Sequence, residues 1–113
     1  MNDRIRAAHA ATTGPDDKGA ARLARDHKLH VRARLDLLFD PGTFVEDGRL
    51  AHATEPGYPA DGVVTGRGLV EGRPALVVAN DPTVKAGSWG ARTVEKIVRA
   101  TETALADELP IFW

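Results

Sequence analysis

From Gly62 onward the chain switches between strand-like and helix-like patterning in an order that few folds accommodate. Val63-Val64-Thr65-Gly66-Arg67-Gly68-Leu69-Val70 has strand character, interrupted by two glycines that mark a bulge or a close backbone approach. Glu71-Gly72 is a tight turn. Pro74-Ala75-Leu76-Val77-Val78-Ala79 is a continuous apolar run, the pattern of a strand covered on both faces. The two strands are most simply an antiparallel hairpin. A loop over Asn80 to Gly90 leads into a helix predicted over Arg92 to Glu108. Its apolar face is expected to carry Val94, Ile97, Val98, Thr101, Ala104 and Leu105, with Glu95 and Arg99 paired at i, i+4 on the other side. Pro110 ends the helix, and Ile111-Phe112-Trp113 opens another strand. Strand, helix and strand in this order form a right-handed crossover in a parallel sheet, so the expected fold class is α/β.

The preceding half is less regular. Met1 to Gly14 is small, polar and aperiodic, and reads as a frayed start, with residues 1–16 a flexible N-terminus. Pro15-Asp16-Asp17 opens a short helix, because acidic side chains favour the positive end of the helix dipole. Val31, Leu35 and Leu38 fall at i, i+4 and i+7 on a second helix, which Asp40-Pro41-Gly42 ends. Thr43 to Glu46 is a short strand candidate. The long loop over Asp47 to Gly62 points to function or to ordering by a partner. With one hairpin and few layers, the Val77–Ala79 run is expected to leave an apolar patch in contact with solvent.

Composition excludes several classes. The chain has no cysteine, so disulfides, thiolate metal sites and cysteine nucleophiles are ruled out. Its 15 basic and 16 acidic side chains leave no electrostatic footprint for nucleic acid or an anionic membrane. No apolar run approaches the roughly 20 residues that span a bilayer. A cytoplasmic location is expected. Among the dispersed histidines, His27 and His30 could share a helical face, but no third metal ligand follows at a suitable spacing. Asp81 and Glu46 read as isolated carboxylates, and Ser88 has no neighbouring histidine for a triad.

One loop stands out. Ala86-Gly87-Ser88-Trp89-Gly90 precedes the long helix, and Lys85 adds a positive charge beside it. Free amides at a helix start suit an anion or a polarised carbonyl. The alternative is a glycine turn with Ser88 as the helix cap. Neither the GxxxxGK[ST] nor the GxGxxG spacing is present. Lys96 and Arg99, farther along the helix, either reach phosphates or belong to its solvated face.

The order of several blocks carries a resemblance. Lys28-Leu29, Arg32-Ala33-Arg34-Leu35, Leu38 and Asp40-Pro41-Gly42-Thr43-Phe44-Val45-Glu46 come first. Pro59-Ala60-Asp61-Gly62-Val63-Val64-Thr65-Gly66-Arg67-Gly68 and Gly72-Arg73 follow, then Val78-Ala79-Asn80-Asp81-Pro82-Thr83-Val84-Lys85-Ala86-Gly87-Ser88 and the K-x-x-R-A pattern of Lys96 to Ala100. Residues 17–113 thereby resemble the N-terminal part of the β subunits of biotin-dependent acyl-CoA carboxylases. Thr83-Val84-Lys85 is more similar to the methylcrotonyl-CoA branch than to the propionyl-CoA branch. His27 departs from the pattern, standing where the family has a glycine. His30 stands where a serine or threonine cap is usual, and Ala86 replaces the first of a glycine pair.

The resemblance implies a partial crotonase-like lobe, with N-terminal helices, a β-hairpin, a long helix and a truncated final strand. It implies carboxyl transfer from carboxybiotin to an acyl-CoA, with biotin carried on a partner subunit. The implied partners are acyl-CoA, a biotin carboxylase or biotin carrier subunit, and either other β-subunit copies or a C-terminal fragment. The candidate CoA-binding residues are Lys85, Gly87, Ser88, Gly90, Lys96 and Arg99, and no catalytic residue is assigned. Since the family's oxyanion-hole segments and biotin lobe are not in this sequence, the isolated chain is expected to show no turnover. The alternatives are a non-catalytic fragment that assembles with a partner chain and a small CoA-binding module.

Overall fold

A computed structural model describes residues 3–51, 58–84 and 89–113. Helices α1 (Asp3–Ala11), α2 (Asp17–Arg25) and α3 (Val31–Leu38) come first, followed by β1 (Val45–Asp47). A turn over Pro59–Gly62 then leads into β2 (Val63–Val70), β3 (Arg73–Asn80), α4 (Ala91–Ala106) and β4 (Ile111–Phe112). Spatial strand order is β1-β2-β3-β4. β1, β2 and β3 pair antiparallel, and β4 pairs parallel to β3 after the α4 crossover. The hairpin and the strand–helix–strand unit stand as the sequence pattern predicts. None of the described helices is long and apolar enough to cross a membrane.

The apolar run of β3 is continuous because its alternate side chains enter two cores. Leu76 and Val78 pack with Val63 against Ile97, Ala100 and Ala104 of α4. Val77 packs with Val64 on the opposite face, against Val31, Leu35 and Phe39. Helices therefore cover the sheet on both sides. Val77 and Val78 are buried, contrary to the expected exposure of this run, because α3 covers Val77 on one face and α4 covers Val78 on the other. The large exposed apolar side chains lie elsewhere, including Leu37, Val45, Leu105 and Trp113.

The β2 glycines mark close approach, not a bulge. Register from Val63 opposite Asn80 to Val70 opposite Arg73 is unbroken. A Cβ on Gly66 would meet the Val45 carbonyl and the Phe44 ring, and one on Gly68 would lie 2.7 Å from Phe39. Phe39 and Phe44 stack at 4.9 Å between ring centroids, so the glycines give this aromatic pair its seat on the sheet.

The first helix is a difference from the sequence reading. Residues 3–11 are helical although none of them is buried. Alanine-rich composition favours the helix without an apolar stripe. Its end is anchored instead: Thr12 Oγ1 donates to the His9 carbonyl at 2.6 Å and accepts from Arg49 Nε, also at 2.6 Å.

α4 differs in rotation. Thr93, Lys96, Ile97, Ala100 and Ala104 face inward. Val94, Val98 and Leu105, expected in the core, are 48%, 47% and 81% exposed. The Glu95–Arg99 pair does not form. Glu95 receives Arg92 at 2.8 Å, and Arg99 reaches Asp47 at 3.1 Å.

Candidate functional site

Helix α4 and the segments before it carry the residues singled out by sequence. Lys85, Ala86, Gly87 and Ser88 lie outside the described residues. The N-cap falls on Gly90, two residues past Ser88, and no side chain caps it. The Gly90 amide donates to Thr93 Oγ1 at 3.0 Å. Trp89 is exposed, with its indole N–H donated to Asn80 Oδ1 at 3.1 Å. The first-turn amides of α4 have no carbonyl within the helix to bond, and the positive end of the dipole lies there. Such a helix start can accept an anion or stabilise a polarised carbonyl.

Thr93 is fully buried and links the helix start to the Pro59–Gly62 turn. Its hydroxyl lies 2.7 Å from Asp61 Oδ2 and 3.0 Å from the Asp61 carbonyl. Lys96 is buried one turn later. Its Nζ donates to the Ala60 carbonyl at 2.8 Å and also to the Val63 carbonyl. Burial pushes the Lys96 amine down to about 8, against the opposing pull of Glu46. Lys96 thus belongs neither to the solvated face nor to a surface that phosphates could reach. Arg99 is on the solvated face, bonded to Asp47.

Two acidic residues that read as isolated are not. Glu46 receives Arg32 through both guanidinium arms, at 2.7 and 2.9 Å. Asp81 Oδ2 lies 3.1 Å from His30 Nε2, while its Oδ1 accepts from the Thr83 amide at 2.9 Å. His30 Nδ1 accepts from the Arg32 amide at 3.3 Å, which places the imidazole proton on Nε2, donated to Asp81. Histidine therefore replaces the usual hydroxyl cap of α3 and adds a tie to the end of β3. His27, the other histidine considered for metal, closes α2 in the left-handed region at φ 53°. Sequence spacing could not reveal these pairs, whose partners lie 14 and 51 residues apart.

Comparison with known proteins gives a consistent family. The carboxyl transferase domain model matches residues 24–113. An uncharacterized carboxylase, YngE, of Bacillus subtilis is 52% identical over 86 residues, 76% of this chain and 17% of that protein. The biotin-dependent 3-methylcrotonyl-coenzyme A carboxylase beta1 subunit of Mycobacterium tuberculosis is 41% identical over 107 residues, 92% of this chain and 20% of its own. Among solved structures, the transcarboxylase 12S hexamer with hydrolysed methylmalonyl-coenzyme A superposes with a TM-score of 0.84 at 31% identity, over 96% of this chain and 23% of that one. The chain thus spans about a fifth of the length of these relatives. With the α/β crossover in place and the match running through α3, the hairpin and α4, this chain belongs to the carboxyl transferase domain family, whose solved members here share the crotonase-like fold.

Proposed function

We propose that this chain forms part of the acyl-CoA-holding lobe of a biotin-dependent carboxyltransferase. The reaction is transfer of a carboxyl group from carboxybiotin to an acyl-CoA. The supporting observation is the superposition, over 96% of the chain, on a transcarboxylase core crystallised with hydrolysed methylmalonyl-coenzyme A and, in a second crystal, with methylmalonyl-coenzyme A and methylmalonic acid. On this reading Lys85, Gly87, Ser88, Gly90 and Arg99 are the residues that contact the CoA ester. Lys96 has its amine committed to carbonyls and serves the site differently. Biotin arrives on a biotin carboxylase or carrier subunit, and other β-type copies complete the assembly. Location is cytoplasmic.

A segment graft tests this. Residues 24–113 replace the corresponding segment of the Mycobacterium tuberculosis beta1 subunit, and carboxyl transfer from carboxybiotin to methylcrotonyl-CoA is assayed. Transfer within about ten-fold of the parent subunit is expected. An oligomeric graft with no transfer above a subunit lacking the segment would overturn the reading. Within an active graft, Lys85→Ala is expected to raise the KM for the CoA ester.

A further inference from the structure

The turn before β2 is built against backbone preference. Ala60, Asp61 and Gly62 take φ values of 53°, 51° and 73°, three consecutive residues in the left-handed region. Only the last is a glycine, and an L side chain in this region costs roughly 1 kcal/mol per residue. The turn is also buried: Ala60 is 3% and Asp61 0% exposed. Such a conformation persists only where the surroundings over-determine it.

The surroundings come from one face of α4. Lys96 Nζ bonds the carbonyls of Ala60 and Val63, at either end of the left-handed stretch. Thr93 Oγ1 holds Asp61 between them. The aliphatic stem of Lys96 is itself slotted. A Cβ on Gly48 would lie 3.0 Å from its Cε and 3.2 Å from its Cδ, and Gly48 has φ +70°. Three chain segments therefore meet on one lysine: the end of β1, the turn before β2, and α4. The turn in turn holds the end of β3, since the Asp81 amide donates to the Gly62 carbonyl at 2.9 Å. Charged groups around the amine are Glu46 and Asp47 of β1, Arg32 of α3 and Asp61 of the turn.

We propose that Lys96 is a positioning residue: its two bonds to the Ala60 and Val63 carbonyls lock the left-handed turn and thereby fix the start of α4 against the ends of β1 and β3. A neutral amine has two N–H donors and an ammonium three, so both carbonyls are served in either form. The lock is a property of the chain itself. Its importance for catalysis rests on the carboxyl-transfer reading.

Amide hydrogen exchange on the 113-residue chain tests the lock. Lys96→Met keeps the stem and removes the donors. The Asp61 and Asp81 amides, bonded to the Tyr58 and Gly62 carbonyls, are expected to exchange at least ten-fold faster. The Val77 amide, central in the sheet, is expected to change by less than two-fold. Unchanged Asp61 and Asp81, or all three amides accelerated alike, would overturn the proposal. Should Lys96→Met not fold, Gly48→Ala, which displaces the stem, is expected to give the same selective pattern. Its absence there would equally overturn the lock. In the active segment graft, Lys96→Met is expected to lower kcat at least ten-fold and to raise the KM for the CoA ester, because the CoA-contacting helix start is no longer held in place. Unchanged kcat would sever the lock from catalysis. An inactive wild-type graft with the selective exchange pattern intact would remove the carboxyl-transfer reading alone.

Discussion

The Asp40 carboxylate holds the tip of the central hairpin: its Oδ2 accepts the Gly72 amide at 2.8 Å, and its Oδ1 the neighbouring Glu71 amide at 3.0 Å. Glu71 and Gly72 have φ values of 50° and 77°, the all-left-handed pair that suits a two-residue hairpin. The Asp40 amide also donates to the Leu69 carbonyl at 2.7 Å. A residue at the end of α3 therefore also sets where β2 turns into β3. Asp40→Ala is expected to destabilise the fold by about 1–3 kcal/mol, since it strips a charged acceptor from two amides. Urea unfolding measures the loss. Faster exchange confined to the Glu71 and Gly72 amides would locate it.

α2 and α4 close with the same motif on a residue poorly suited to it. The Lys28 amide bonds the Leu23 carbonyl and the His27 amide that of Ala24. At α4, Leu109 bonds Ala104 and Glu108 bonds Leu105. These are the paired bonds of a Schellman cap, and its left-handed residue is usually glycine. Here it is His27 and Glu108, both at φ 53°. His27→Gly and Glu108→Gly are each expected to stabilise by about 0.5–1 kcal/mol, the strain relieved exceeding the backbone entropy lost. The melting temperature is the readout, and the two gains should add because the caps share no partner.

Hairpin, crossover and α3 were legible because their apolar spacing is local: Val31, Leu35 and Leu38 define a helical face without reference to anything else. The rotation of α4 was not legible. Its outward Val94, Val98 and Leu105 are all large and apolar, whereas the inward face has Thr93 and Lys96 beside Ile97, Ala100 and Ala104. What reverses the preference is a polar demand from the turn before β2, whose buried carbonyls require donors. The sequence does not display that demand, since it depends on the left-handed path of Ala60 and Asp61. The same holds for Asp81, which reads as isolated until the fold brings the end of β3 to His30 at the start of α3.

Lys96 gives the fold a pH dependence of defined sign. Its amine titrates at about 8 when folded, against 10.5 ordinarily. Between these values the unfolded chain binds more protons, so stability rises with pH from about 8 to 10.5 and carries the full penalty below 8. At 1.36 kcal/mol per unit this difference amounts to about 3 kcal/mol as an upper bound, since bonds to two carbonyls favour the charged form. Unfolding free energies of the wild type and Lys96→Met at pH 7 and pH 10 isolate the effect. The wild type is expected to gain on the variant as pH rises, and a constant difference would show that burial does not govern this amine.

Arg32 and Glu46 tie α3 to β1 through two parallel bonds, at 17% and 8% side-chain exposure. Glu46 also has Arg49 Nε at 3.9 Å and is the main charge favouring the protonated form of Lys96, whose shift burial dominates. The pair therefore serves more than its own contact. Arg32→Lys keeps the charge but cannot reproduce the planar fork, and is expected to cost about 1–2 kcal/mol. Glu46→Ala strands a half-buried guanidinium and is expected to cost about 3–5 kcal/mol. If that cost comes mainly from the unpaired charge, Arg32→Met combined with Glu46→Ala should be less damaging than the sum of the single changes. A double-mutant cycle on urea midpoints measures this coupling. Strict additivity would mean that Arg32 and Glu46 act independently, and that the bidentate pair does not join α3 to the sheet edge.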